Sequence, residues 1–357
     1  MITNRSIIVG TGSVLPEFVV PNSDFEANEF FTPDGVRIAK TSKEIIEKLE
    51  AITGIRERRY IPKDQDSVQL MTDASRLAVE DAGLEMDQLS GIIVAHNAGN
   101  MVPLEKTFHT VPNLASSLKN ALNCRNHECF AYDILFGCPG WLQGVIQAHQ
   151  LISCGDAEHV LVTGLEIASR LLDPHDVDSM ILGDGCGACV VSRSDAANEG
   201  IVAYSTYSHA MDDNRIIYLG ESNNKELAGS CYFHMNGREV YKYATKWVPL
   251  VIKDALEKAN VGIDEVDIFL FHQANAKMLE AITKNMGELC GVPDSLFAGK
   301  VPSTIEFLGN TSVATIPTMF DLIRKDKLNG YNISAGQVGV MASVGAGMHC
   351  NALVYQF

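Results

Sequence analysis

The feature that most limits how this chain can fold is that it repeats itself. A helix-like run, Ala74–Gly83, leads through Asp87-Gln-Leu89 into an apolar strand, Ile92–Ala95, and then His96-Asn-Ala98. Much later the helix-like run Val248–Asn260 leads through Asp264-Glu-Val266 into Ile268–Phe271 and then His272-Gln-Ala274. Each unit continues in the same order. The first has a strand at Ala131–Leu135, a tight Gly137-Cys138 turn, a helix and the strand Val160–Thr163. The second has a strand expected at Ile305–Leu308, a Gly309-Asn310 turn, a helix near Ser312–Lys325 and the strand Val338–Ala342. Both units close with a Gly-rich turn and an apolar strand, Gly183-Asp-Gly185 into Ala188–Ser192 and Gly345-Ala-Gly347 into Ala352–Phe357.

Strands that are apolar along their whole length and alternate with helices are buried on both faces, which describes largely parallel sheets covered by helices. The expected fold is therefore α/β, with two pseudo-symmetric βα halves over residues 1–196 and 197–357. Stacking the halves by pseudo-symmetry would bring equivalent turns together, and Cys138 and Asn310 occupy equivalent turns.

Composition removes several functional classes. With 46% hydrophobic and 20% charged residues, the 357-residue chain has the makings of a substantial core and is not a disordered chain. A formal net charge of −16 argues against general nucleic-acid binding, which needs a basic surface. No apolar run reaches the roughly 18 residues of a membrane span, and the N-terminus lacks a signal-peptide pattern, so a cytoplasmic location is expected. Nine scattered cysteines fit a reducing compartment. Cys186 and Cys189 form a C-x-x-C, but no second C-x-x-C or His pair accompanies it, so no metal site is expected.

Cys138 has the most reactive setting of the nine. An apolar strand ends at Phe136-Gly137, and Pro139-Gly140 opens a helix with Trp141, Val145, Ala148 and Leu151 on its apolar face. A thiol at a helix N-terminus feels roughly half a positive charge, which favours the thiolate. Two further polar residues follow strands: His272 after Ile268–Phe271, and Asn310 in Leu308-Gly-Asn-Thr-Ser312. Singly, each has a structural reading: a buried thiol, a satisfied histidine, a turn asparagine. Together they supply a nucleophile, an imidazole and an amide donor at strand ends, where clefts form in such folds.

This constellation resembles the β-ketoacyl-acyl-carrier-protein synthase III family, of thiolase fold. The likeness runs along nearly the whole chain: Thr53-Gly-Ile-Arg-Glu-Arg58, Cys138 with its helix, Gly183-Asp-Gly-Cys-Gly-Ala188, Met235-Asn-Gly-Arg-Glu-Val-Tyr-Lys242, His272-Gln-Ala-Asn275, Gly309-Asn-Thr-Ser312 and the segment from Gly345 to Phe357. The resemblance implies a layered αβαβα arrangement, a homodimer and no cofactor beyond the substrates, an acyl-CoA or acyl carrier protein. It implies that Cys138 takes an acyl group from a thioester. A malonyl-type carrier thioester then loses CO2 and its carbanion attacks the acyl-Cys. By the same likeness His272 and Asn310 donate hydrogen bonds to the developing enolate, and the backbone N–H groups of Cys138 and Ala346 form an oxyanion hole.

Arg238, Lys242 and Lys246 recur every fourth residue, which places three cations on one helix face. Such a stripe suits an acidic carrier protein. By resemblance Lys242 and Lys277 are docking positions, and Arg170 is a CoA contact. The chain also departs from the family. Glu44–Ile52 lacks the Trp and Arg that hold the CoA nucleotide in bacterial members, and Asn97–Leu114 differs where acyl-pocket residues are expected. A specialised member with a starter other than acetyl-CoA, or one delivered by a carrier, is the implied reading. Ser343 stands where a thiolase would have its second cysteine, and the local signatures of papain-like hydrolases are missing. A non-decarboxylating acyltransferase acting on an alcohol or amine remains the alternative, as does a non-catalytic partner subunit.

Overall fold

The computed structural model describes residues 5–102, 107–194, 196, 199–227 and 231–357. Its frame is two sheets. The first contains β1 (Arg5–Val14), β2 (Gly91–His96), β3 (Phe130–Leu135), β4 (His159–Ile167) and β5 (Asp184–Ser194), in the order β1-β5-β4-β2-β3. The second contains β6 (Gly200–Ser208), β7 (Ile268–Phe271), β8 (Val338–Gly345) and β9 (His349–Gln356), in the order β6-β9-β8-β7. In each sheet the first two neighbouring pairs are antiparallel and the next is parallel, so the four strands of the second sheet match the first four of the first.

Six helices pack on the sheets: α1 (Ser67–Asp81), α2 (Leu114–Ala121), α3 (Gly140–Cys154), α4 (Gly237–Ala259), α5 (Ala276–Cys290) and α6 (Thr315–Arg324). The strand pleat assigns the layers, because successive side chains point to opposite faces. Ile93, Val160, Val162, Cys189 and Val191 of the first sheet meet Leu270, Met341 and Leu353 of the second in one core that also holds Trp141 and Val145 of α3 and Phe320 of α6. Their neighbours Ile92, Val94, Leu161 and Val190 turn outward onto α1 and α2. Phe269, Val340 and Val354 turn outward onto α4 and α5. Helices, sheet, helices, sheet and helices follow one another, the αβαβα order expected. Because α3 lies between two apolar sheet faces, it is buried beyond the face read from sequence, with Leu142 and Ile146 also covered. Cys186 and Cys189, three residues apart on β5, face opposite cores and cannot share a metal.

One expected strand does not form. Ile305–Leu308 is a single helical turn. Ile305 and Leu308 are buried while Glu306 is exposed, which is helical spacing rather than alternation. The edge of β7 is also taken already, since the Phe269 N–H donates to the carbonyl of Lys300 at 2.8 Å. Gly309, at φ +62°, then turns the chain away from the sheet. Among the described residues, no helix is long and apolar enough to cross a membrane.

Candidate active site

Cys138 lies in the turn from β3 to α3, one residue before the helix N-cap, Pro139. The hairpin turn Gly345-Ala346-Gly347 packs directly against it. A Cβ placed on Gly345 would lie 2.7 Å from the Cys138 backbone N and 2.6 Å from Pro139 Cδ, and one on Gly137 would lie 2.9 Å from the Ala346 backbone N. Only glycine allows these two backbones, each bearing one of the expected oxyanion-hole N–H groups, to come so close.

His272 follows β7, its N–H continuing the ladder to the Ala342 carbonyl at 2.9 Å. The rest of that motif is structural. Gln273 is buried and accepts from Ser303 Oγ at 2.9 Å, and Asn275 caps α5 by accepting from the Met278 N–H. Asn310 is fixed from both sides: its N–H donates to Ile181 O at 2.9 Å, and its carbonyl accepts from the Gly183 N–H at 3.0 Å. Its Oδ1 accepts from the Ser312 N–H at 2.8 Å, and Nδ2 is the half of the amide left without a hydrogen-bond partner among the described residues.

Cys138, His272 and Asn310 line one cavity of about 760 Å³, open solvent at its mouth included. Most of its remaining wall is apolar, with Leu171, Ile181, Phe233, Met235, Val240 and Met278. An apolar cavity with a few polar groups in its wall suits a chain bearing one reactive carbonyl. Asn97, Glu166 and Ser312 line it as well. Sequence reasoning passed over these three. Glu166 was legible as a lone acid in the apolar run of β4, and Ser312 was in a quoted motif without a role.

The expected thiolate is not what the surroundings favour. Burial pushes the Cys138 thiol up to about 12, with the Glu166 carboxylate adding to the rise and the Ser312 hydroxyl opposing it. The helix terminus is where it was expected, and burial and a neighbouring acid act against it. Burial also drives His272 down to about 4, with the Ser312 main chain pulling the other way, so the ring is neutral near pH 7. Glu166 is pushed up to about 7, chiefly by burial.

The docking candidates are placed differently. Arg238 and Lys242 on α4 and Lys277 on α5 are exposed, and Gly237, Val240 and Met278 of those helices form part of the cavity wall. Lys242 pairs with Glu239 at 2.6 Å, and Lys246 lies 4.3 Å from the Trp247 ring centre. Arg170 is only part-exposed, donates to the Gln65 carbonyl and is not part of the cavity wall. Of the departing segment Asn97–Leu114, residues 103–106 lie outside the described residues. Several family-like motifs prove architectural. Arg58 is fully buried, donating to Val20 O, Asn22 Oδ1 and Met180 O. Asp184 accepts from the Ile61 N–H and from Ser169.

Residues 132–210 match the family model described as 3-oxoacyl-[acyl-carrier-protein (ACP)] synthase III, and residues 256–357 match the model of its C-terminal part. The chain is 30% identical over 358 residues to the β-ketoacyl-[acyl-carrier-protein] synthase III of Brucella anthropi, covering 99% of each. It is 32% identical over 351 residues to the enzyme of that name from Staphylococcus saprophyticus, covering 98% of each. Among solved structures, the 3-oxoacyl-[acyl-carrier-protein] synthase III of Aquifex aeolicus superposes with a TM-score of 0.79 at 28% identity, covering 99% of this chain and 100% of that one.

Proposed function

Since the chain belongs to the 3-oxoacyl-[acyl-carrier-protein] synthase III family, we propose that it joins an acyl group held on Cys138 to a malonyl-type carrier thioester by decarboxylative Claisen condensation. It is a condensing enzyme of fatty-acid or related lipid synthesis. The observation that carries this reading is the convergence of Cys138, His272 and Asn310, from three distant stretches, on one apolar cavity.

The cavity divides the work. Cys138 Sγ attacks the donor thioester, and the paired N–H groups of Cys138 and Ala346 take the negative oxygen of the tetrahedral intermediate. After the donor thiol departs, the extender enters. As CO2 leaves, charge builds on the extender's thioester oxygen, where Asn310 Nδ2 and an N–H of the neutral His272 ring donate to it. Preorganised donors of this kind are each worth about 10²–10³ in rate. A neutral imidazole gives a hydrogen bond without storing charge in a buried site. Transfer to an alcohol or amine would need no enolate stabilisation and leaves Asn310 Nδ2 without a task.

The acyl carrier protein approaches over α4 and α5, which carry the exposed Arg238, Lys242 and Lys277 and give Gly237, Val240 and Met278 to the cavity wall; Arg170, already donating to Gln65, would serve a CoA donor only from the periphery. The functional unit is a homodimer. In its support, β3 is an edge strand, and Leu135 at its end is 68% exposed. An unpaired edge ending in a bare leucine is the kind of surface a second copy covers.

The test separates the two half-reactions. His272→Ala and Asn310→Ala should still gain an acyl mass on Cys138 while CO2 release from malonyl carrier falls about 100-fold. Absence of CO2 from wild type with any acyl donor would return the reaction to simple acyl transfer.

A further inference from the structure

Beside the nucleophile, the cavity contains a carboxylate that the reaction above does not use. Glu166 is 3% exposed, on a strand with apolar neighbours. The groups that face it are few. Asn97 Nδ2 donates both to Glu166 and, at 2.8 Å, to Ser312 Oγ. The Ile167 N–H donates to Glu166 Oε1 at 3.0 Å. The Ser312 hydroxyl donates to Cys138 Sγ at 3.1 Å, and the same hydroxyl acts on the Glu166 carboxyl, favouring its charged form. The serine hydroxyl thus joins acid and thiol, with Asn97 holding acid and hydroxyl in register.

Ser312 is also held in an uncommon backbone conformation, φ +46°. A non-glycine residue there is strained and persists only where its surroundings fix it. Here the Asn310 carboxamide does so, accepting from the Ser312 N–H. The chain bears this strain at the residue whose hydroxyl meets the sulfur.

We propose that Glu166 is the proton acceptor for Cys138, working through the Ser312 hydroxyl with Asn97 as the positioning residue. The proton count closes. The S–H bond breaks as the sulfur forms its bond to the acyl carbon, the thiol proton passes to Ser312 Oγ, and the serine's own proton passes to a Glu166 oxygen. When the donor thiolate leaves, the proton returns along the same route to that sulfur, restoring the carboxylate and the hydroxyl. At rest the Ser312 hydroxyl donates to Cys138 Sγ; for the transfer it turns its proton to Glu166 and accepts the thiol proton in its place. His272 is a poor rival for the task. It makes no hydrogen bond to Cys138 among the described residues, and burial disfavours its protonated form.

The experiment isolates the thiol from any acyl donor, so that it does not depend on the condensation reading. The rate of Cys138 alkylation by iodoacetamide is followed by peptide mass mapping from pH 5 to 10 in wild type, Glu166→Gln, Ser312→Ala and Glu166→Asp. A relay makes the wild-type rate climb through an apparent pKa near that of Glu166, about 7. Glu166→Gln and Ser312→Ala lose that step and react at least about tenfold more slowly at pH 7.5. Glu166→Asp recovers part of it. Asp184, the other carboxyl acting on Glu166, is unchanged in every variant and cannot supply the difference. A carboxylate acting only by its charge predicts the opposite sign, because removing it makes the thiol easier to ionise. Glu166→Gln or a folded Ser312→Ala alkylating as fast as wild type, or faster, overturns the relay. Loss of the step with no CO2 release from malonyl carrier leaves the relay standing and removes the condensation reading; the reverse pattern removes the relay alone.

Discussion

Gly345→Ala tests the oxyanion hole with a single methyl group. Its Cβ would meet Pro139 Cδ at 2.6 Å, Cys138 N at 2.7 Å and Cys138 Cβ at 3.0 Å. Carbon atoms rest about 3.5 Å apart at the closest comfortable contact, so one backbone must retreat by roughly 0.8 Å. None of the three atoms is the end of a flexible side chain, and the retreat moves the Cys138 N–H relative to that of Ala346. A misplacement of about 1 Å costs about 10² in rate, and loss of one oxyanion donor costs about 10²–10³. Single-turnover acylation of Cys138, read by intact mass, should therefore fall about 100-fold, close to 2.7 kcal/mol of barrier. Overpacking should also cost about 1–3 kcal/mol of stability, visible as a lower urea midpoint. Iodoacetamide alkylation of Cys138 needs no oxyanion donor and should fall less than about tenfold. Acylation within about threefold of wild type would refute the reasoning. Equal losses in acylation and alkylation would refute it too, since they would mean that the methyl group displaced the thiol and not the donors.

Three further outcomes are expected. Glu166 has a folded-state pKa raised from 4.5 to about 7, so its contribution to stability is complete below pH 4.5 and is lost as pH rises through 7. Wild type should lose up to about 3 kcal/mol relative to Glu166→Gln across that window in urea titrations, and a flat difference would contradict the assignment. Leu135→Asp puts a charge on the bare end of β3 and should shift the particle from dimer to monomer in sedimentation; an unchanged dimer would place the interface elsewhere. Reversing charge at both Arg238 and Lys242 should raise the carrier KM about tenfold, and an unaltered KM would discard α4 as the landing face.

The layers were legible because strand and helix periods leave strong marks. Ile268–Phe271 and Val338–Ala342 are apolar throughout and could sit only in a buried sheet. Ile305–Leu308 was misread because four residues hold barely one helical turn, too few to separate the two periods. Cys138 and His272 could be found because each follows a strand in a repeated pattern, and Asn310 because it holds the matching Gly-rich turn, although a helical turn and not a strand leads into it. The electrostatics could not. A helix start beside Cys138 is visible in sequence, while what works against it, burial in the folded cavity and the charge of Glu166, 28 positions away, is not. Motif strength was a poor guide to chemistry as well: Arg58 and Asp184 lie in the most recognisable motifs and hold the frame together.

The strand missing from the second sheet has a consequence for how activity arises. Freed from a ladder, the stretch after Thr304 crosses to the first half and hands both backbone groups of Asn310 to Ile181 and Gly183. The amide donor is therefore aimed by the opposite half of the molecule. Two fragments cut near residue 196 would each retain every strand of one sheet, yet neither could carry out the second step until they rejoined. Turnover in such a mixture would then measure how completely the two pieces have found each other.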